Sequence, residues 1–79
     1  MEARHQRLRE RLASIEHDQW MAWSRALAAD EHLSDQRLAR WRRHWVPYEE
    51  MSEQARDVDR RWADRVLDIL EEEGLIEGE

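Results

Sequence analysis

A short aromatic and basic stretch, residues 40–51, limits how this chain can fold. It holds the single proline, Pro47, the single tyrosine, Tyr48, and two of the five tryptophans. Residues 3–29 contain no glycine or proline and are rich in Arg, Leu, Ala and Glu, which favour helix. The residues after the stretch also favour helix. We therefore interpret the stretch as the joint between two helical arms, because proline cannot continue a helix.

The composition indicates a small domain without covalent cross-links. We expect residues 1–79 to form a single domain, and a chain of this length buries a modest fraction of its surface. The absence of cysteine excludes disulfides and thiolate zinc sites. No apolar run approaches the roughly 20 residues that span a bilayer, and the N-terminus lacks the apolar region of a secretory signal. We expect a cytoplasmic protein with no membrane partner.

The charges are unevenly distributed along the chain. All thirteen basic residues are arginine, and the formal net charge is -6. Residues 1–45 carry nine arginines against seven acids, whereas residues 46–79 carry four arginines against twelve acids. An acidic chain is a poor candidate for duplex nucleic acid, because binding depends on neutralising phosphates. We expect the asymmetry to steer a protein partner or the packing of the arms.

Apolar periodicity predicts a long first helix over residues 3–29. Its apolar stripe recurs at every third or fourth position: Leu8, Leu12, Ile15, Gln19, Ala22, Ala26 and Ala29. Three further residues widen the stripe on one side: Trp20, Trp23 and Leu27. Residues 1–12 carry few apolar groups, so we expect them to fray or to extend past the core as a helical arm.

Capping residues predict two further helices around the joint. Ser34 suits the N-cap of a short helix that runs from Asp35 to about Trp45 and ends before Pro47. Its predicted inner face consists of Leu38, Trp41 and Trp45. Residues 48–51 are expected to form a single turn before the next helix.

Ser52 is the expected N-cap of the third helix, and Gly74 stands where a left-handed C-cap belongs. The third helix has its own apolar stripe: Ala55, Val58, Trp62, Val66, Ile69 and Leu70. The prediction is an all-α domain of three helices, with a long N-terminal helix, a short middle helix, a proline-containing bend and a third helix.

Four short motifs, in order, resemble elements of the ryanodine-receptor (RyR) repeat domain. Residues 17–20 resemble its H-D-x-W element, and residues 46–51 resemble its V-P-Y-[DE]-E-L element. Asp59-Arg60 matches its D-R pair, and residues 74–76 resemble its G-Y-x-I ending. The resemblance covers residues 15–76. The chain departs from the family in lacking the G-W-x-Y-G segment, which an Arg/Trp-rich helix replaces, so we expect little or no sheet.

The resemblance implies a binding module rather than an enzyme. Similar domains occur in bacterial and phage proteins, some associated with defence systems, where they are suspected of sensing nucleotide-derived ligands. We therefore expect a module that senses or sequesters an anionic, nucleotide-derived ligand. The alternative is a small acidic helical protein that binds or inhibits a host or other partner protein and has no small ligand. A homo-oligomer is expected under either hypothesis, because the stripes exceed what one small core can bury.

The candidate ligand site combines aromatic rings that can stack on a base with arginines that can hold a phosphate. Its predicted members are Trp20, Trp41, Arg42, Arg43, Trp45, Tyr48 and Arg60. The competing interpretation places the tryptophans in the core and has Asp59 and Arg60 fix the bend. His17, Pro47 and Asp59 are predicted to be structural, with a hydrogen bond from His17 to residues 46–48. No catalytic residue, metal site or cofactor is predicted.

Overall fold

The computed structural model describes residues 5–78, which form three α-helices and one short 3-10 helix. Their bounds are Gln6–Asp30 (α1), Asp35–His44 (α2), Tyr48–Glu50 (the 3-10 turn) and Glu53–Glu72 (α3). No strand occurs in this range. The predicted all-α, three-helix architecture is confirmed. Of the predicted N-terminal arm, residues 6–12 belong to α1 and contact α3 through Arg9 and Glu10, while residues 1–4 lie outside the described range.

The helix ends follow the predicted capping residues. The side chains of Ser34 and Ser52 each accept a hydrogen bond at 3.1 Å from the backbone N–H three residues on. These bonds satisfy donors that the first turn of a helix leaves unpaired. After α3, Gly74 adopts the left-handed conformation with φ +74°, and the N–H of Leu75 donates to the carbonyl of Leu70 at 2.9 Å. This arrangement is a Schellman motif.

Helices α1 and α3 form an antiparallel pair, against which the joint packs. Arg9 on α1 lies beside Asp64 on α3, at 2.7 Å, and His17 lies beside Asp59, so residue numbers rise on one helix as they fall on the other. The shorter α2 lies against the second half of α1, where the ring of Trp41 contacts tryptophans of that helix.

The core is small and consists mainly of small side chains. Ala13, Ala63 and Leu67 are fully buried, and Tyr48 of the 3-10 turn is 6% exposed. Small residues on facing helices allow their backbones to approach closely. No residue of α2 is buried, so α2 is held by contacts at its edge rather than by the core.

The predicted apolar stripes are wrong about which helix faces are buried. Five of their large members are more than half exposed: Ile15, Trp23, Val58, Trp62 and Ile69. The buried positions of α1 and α3 are instead Ala13, His17, Ser24, Ala63 and Leu67. The physical reason is that the polar atoms of two of these residues find partners in the joint, which offsets the cost of burying them.

Candidate functional site

An open, mainly apolar cavity lies where α1, the end of α2, the 3-10 turn and α3 meet. Its volume is about 260 Å³. The lining residues are His17, Trp20, His44, Met51, Ala55, Val58 and Asp59. Every element of the fold contributes to this lining or directly adjoins it. The cavity is therefore the place where the joint predicted from residues 40–51 meets both long helices.

Two polar side chains stand in the cavity wall: His17, which is buried, and Asp59, which is partly buried. The side chain of His17 is 3% exposed and that of Asp59 is 15% exposed. Nε2 of His17 lies 2.6 Å from the carbonyl oxygen of Val46. A carbonyl can only accept, so Nε2 must carry the hydrogen and donate it. This bond confirms the predicted contact between His17 and the Val46–Tyr48 segment.

The other nitrogen of His17 faces a carboxylate without bonding to it. Nδ1 lies 3.8 Å from Oδ2 of Asp59, which is beyond hydrogen-bond distance. When the ring is neutral, Nδ1 has a lone pair, and both facing atoms are acceptors. Burial raises the pKa of Asp59, and a positive charge on the His17 ring would oppose that rise. The wall thus presents two acceptors that a donor from a ligand would satisfy.

Aromatic rings form the neighbouring wall of the cavity, centred on Trp20. The Trp20 ring stacks with His17 at a centroid distance of 6.0 Å and an interplanar angle of 21°. Trp41 and His44 each meet it edge-on, at 6.0 Å and 6.3 Å. Trp20 is therefore held in orientation by rings from two helices while remaining partly exposed at the cavity.

A separate polar cluster, centred on Glu10, joins α1, the 3-10 turn and α3. The carboxylate of Glu10 accepts from the hydroxyl of Tyr48 at 3.0 Å and from Arg60 at 2.6 Å and 2.9 Å. Arg60 also donates to Glu53 and Asp57, each at 2.8 Å. The hydrogen bonds from Arg60 lower the pKa of Glu10, and burial together with the bond to Glu10 raises the pKa of Tyr48. The cluster fixes the 3-10 turn to both helices.

The structure does not bring Arg60 and the α2 arginines together at a phosphate site. The Arg60 side chain is 11% exposed and is bound by three carboxylates, so an anion would have to displace one of them. Arg60 is also far from the aromatic wall of the cavity, because its partner Glu10 precedes Trp20 by ten residues of α1, about 15 Å along the helix axis. Arg42 and Arg43 are exposed at the end of α2 and form no ion pair within residues 5–78.

The remaining predicted aromatic residues anchor the joint. Trp45 donates its indole N–H to the buried hydroxyl of Ser24 at 2.9 Å, and the guanidinium of Arg25 lies 5.6 Å from its ring centroid. Trp41 contacts Trp23 as well as Trp20. Pro47 separates α2 from the 3-10 turn. Of the predicted ligand residues, Trp20 is the one that lines the cavity, and Tyr48 belongs to the Glu10 cluster.

Sequence reasoning missed four residues of the lining: His44, Met51, Ala55 and Val58. The spacing of Ala55, Val58 and Asp59 places them on one face of α3, which was a usable signal. The Glu10 cluster had no such signal, because Glu10 and Arg60 are 50 residues apart.

Neither a metal site nor a membrane span is present in the described part of the chain. Within residues 5–78, no three His, Cys, Asp or Glu side chains are grouped closely enough to hold a metal ion. The helices of this range all lack the length and apolar character needed to cross a membrane. No protein-family model, curated protein or solved structure matches the chain.

Proposed function

We propose that this protein is a non-catalytic binding module whose ligand site is the cavity at the joint. The observation that carries the proposal is the pair of acceptors, Nδ1 of a neutral His17 and Oδ2 of Asp59, which face each other at 3.8 Å in a mainly apolar cavity wall. An apolar cavity with a few convergent polar groups is typical of a small-molecule site. A ligand that supplies two donors would form hydrogen bonds with both acceptors in largely apolar surroundings, where such bonds are stronger than in water.

The chemistry of the walls favours a flat ring with two adjacent hydrogen-bond donors on its edge. Trp20 offers an aromatic surface beside the acceptors of His17 and Asp59, and stacking on such a surface stabilises a base by about 1–3 kcal/mol. Guanine is a common ring with this donor edge. The cavity lining contains no arginine, so the phosphate of a nucleotide would remain outside the cavity. A nucleotide-derived ligand therefore agrees with both the cavity and the resemblance to RyR domains.

Calorimetric titration with guanosine monophosphate tests the proposal. We expect saturable binding that is at least about tenfold weaker for Asp59→Asn, because an amide offers one acceptor where the carboxylate offers two. Asp57→Asn is the matched control, since it makes the same chemical change on the same helix outside the cavity. Inorganic phosphate and adenosine monophosphate, whose base lacks two adjacent donors, should bind more weakly.

The outcomes of this titration separate the parts of the proposal. Equal binding of guanosine monophosphate by the wild-type and Asp59→Asn chains would show that the nucleotide does not bind in the cavity. Equal binding of all nucleotides and of phosphate would show that the ligand is held by charge rather than by the ring. Absence of heat with every nucleotide would reject the nucleotide as ligand.

A second candidate function, binding of an acidic protein partner, is favoured by the exposed arginines of α2. The helix carries four arginines and one acid: Arg37, Arg40, Arg42, Arg43 and Asp35. No ion pair within residues 5–78 uses these arginines, although the whole chain is acidic. Under this hypothesis, Arg40→Glu/Arg43→Glu abolishes capture of a partner from host extract, whereas Asp59→Asn leaves that capture unchanged.

A further inference from the structure

Helix α3 carries an apolar stripe that the described part of the chain leaves largely uncovered. The α3 stripe consists of Val58, Trp62, Val66 and Ile69, spaced by three or four residues and therefore on one face. Val58, Trp62 and Ile69 are 53%, 51% and 59% exposed. Side chains of this size, placed in register along one helix, are typical of a surface that packs against another helix.

A line of charged residues runs beside the α3 stripe and changes sign along the helix. The charged line consists of Arg61, Arg65, Asp68 and Glu72, again spaced by three or four residues. The two basic residues come first and the two acidic residues follow. Such a line complements itself only when a second copy runs in the opposite direction. In a parallel pair, Arg61 would stand opposite the Arg61 of the other copy, and like charges at a helix interface are destabilising.

We propose that two copies of this chain associate through their α3 stripes, with the two α3 helices antiparallel. In one register, Arg61 of each copy stands opposite Glu72 of the other, and Arg65 stands opposite Asp68. The two-fold axis then passes beside Val66, near the middle of the α3 stripe. Trp62 of each copy lies within about 3 Å, along the helix axis, of Ile69 of the other. Charge and apolar surface thus select the same arrangement, which is an isologous pair.

This association does not depend on the proposed ligand. Val58 belongs to both the α3 stripe and the cavity lining, whereas Arg61 and Glu72 do not line the cavity. The two proposals can therefore fail separately. Loss of nucleotide binding would leave the association of α3 helices intact, and a monomeric chain would leave the cavity intact.

Sedimentation velocity over a concentration series tests the association. We expect the wild-type chain to form a dimer, and either Arg61→Glu or Glu72→Arg to raise the dissociation constant about tenfold, because each variant places like charges opposite each other at two symmetric positions. The double variant Arg61→Glu/Glu72→Arg restores both opposite-charge pairs and should recover wild-type dimerisation. Circular dichroism of each variant confirms that the helices are intact.

Trp62→Gln tests the contribution of the α3 stripe to the dimer. This variant leaves the charges unchanged and should also weaken the dimer. A wild-type chain that remains monomeric at the highest concentration would overturn the proposal. Failure of the double variant to recover what each single variant loses would overturn the antiparallel arrangement.

Discussion

Replacement of Glu10 by glutamine tests whether the Glu10 cluster stabilises the fold. The glutamine side chain would keep an acceptor for the hydroxyl of Tyr48 but would lose the negative charge that binds Arg60 through two nitrogens. Arg60 would keep Glu53 and Asp57, so its charge would not be left unpaired. The loss is therefore that of a charge-assisted double hydrogen bond between residues that are 50 positions apart in sequence.

The magnitude of this loss follows from the exposure of the two partners. Exposed ion pairs contribute about 0–1 kcal/mol, whereas breaking a fully buried pair costs about 3–5 kcal/mol. The Glu10 side chain is 34% exposed and that of Arg60 is 11% exposed, so the pair lies between these limits. We expect Glu10→Gln to lower the free energy of unfolding by about 2 kcal/mol and the melting temperature by about 10 °C.

Urea unfolding followed by circular dichroism measures this loss, and Glu53→Gln provides the matched control. Glu53 binds the same arginine but is 68% exposed, so solvent screens the interaction and its replacement should change the stability much less than Glu10→Gln does. A Glu10→Gln chain as stable as the Glu53→Gln chain would refute the reasoning, because burial would then not distinguish the two pairs.

The pH dependence of the same loss gives an independent check. Arg60 and Tyr48 hold the pKa of Glu10 below its ordinary value of 4.5. A carboxyl whose pKa is lowered by folding stabilises the protein above its unfolded pKa, and this stabilisation is lost as the pH falls through the folded pKa. The stability difference between wild type and Glu10→Gln should therefore be full at neutral pH and should shrink below pH 4.5. A difference that stays constant in acid would contradict the assigned charge interaction.

Three further substitutions test contacts at the joint and at the end of α3. Ser24→Ala should lower the free energy of unfolding by about 1–2 kcal/mol, since it leaves the indole N–H of Trp45 without its acceptor. A red shift of tryptophan emission should accompany this loss. An unchanged stability would mean that the bond does not stabilise the fold. His17→Phe keeps an aromatic ring at this position but removes the hydrogen bond to the Val46 carbonyl. It should lower the free energy of unfolding in urea by about 2 kcal/mol. An unchanged stability would indicate that ring packing alone holds the joint. Gly74→Ala should lower the free energy of unfolding by about 1 kcal/mol in thermal unfolding, because a residue with a side chain is strained at φ +74°. The cost comes from the backbone alone, since no atom lies within 4 Å of the added methyl group. An unchanged stability would show that the α3 terminus frays.

The helix ends could be predicted from sequence because their signals are local. Ser34 and Ser52 cap helices through backbone groups three residues away, and Gly74 takes a conformation that few other residues adopt. Pro47 likewise ends α2 by a restriction on the residues around it. Each of these effects operates over a few residues, so the sequence pattern contains the whole cause.

The buried helix faces could not be predicted, because their causes are not local. Periodicity gives most weight to large apolar residues, and it selected a face of α1 containing Ile15, which is 60% exposed. The face that is buried contains His17 and Ser24, whose burial depends on hydrogen bonds to Val46 and Trp45. Those partners are more than 20 residues away, and no pattern within α1 points to them.

The candidate site could be predicted only in part, again because some of its contacts join residues that are far apart in the sequence. Trp20 and the contact of His17 with residues 46–48 were identified from the residues and motifs around them. Asp59 was predicted to fix the bend, but it lines the cavity and faces His17 instead. The phosphate role of Arg60 presumed a free guanidinium, and Glu10, 50 residues earlier, occupies it. A cavity that combines α1, α2 and α3 requires the fold before its lining can be read.

The indole N–H signals in an ¹H–¹⁵N spectrum of the wild-type chain test the central claim most directly, since each of the five tryptophans gives one reporter. Assignment by single Trp→Phe variants identifies each signal. We predict that guanosine monophosphate shifts the signal of Trp20, which lines the cavity, and leaves that of Trp62, which is outside it, unchanged. Saturation with no shift of the Trp20 signal, or equal shifts of the Trp20 and Trp62 signals, would contradict a ligand site in this cavity.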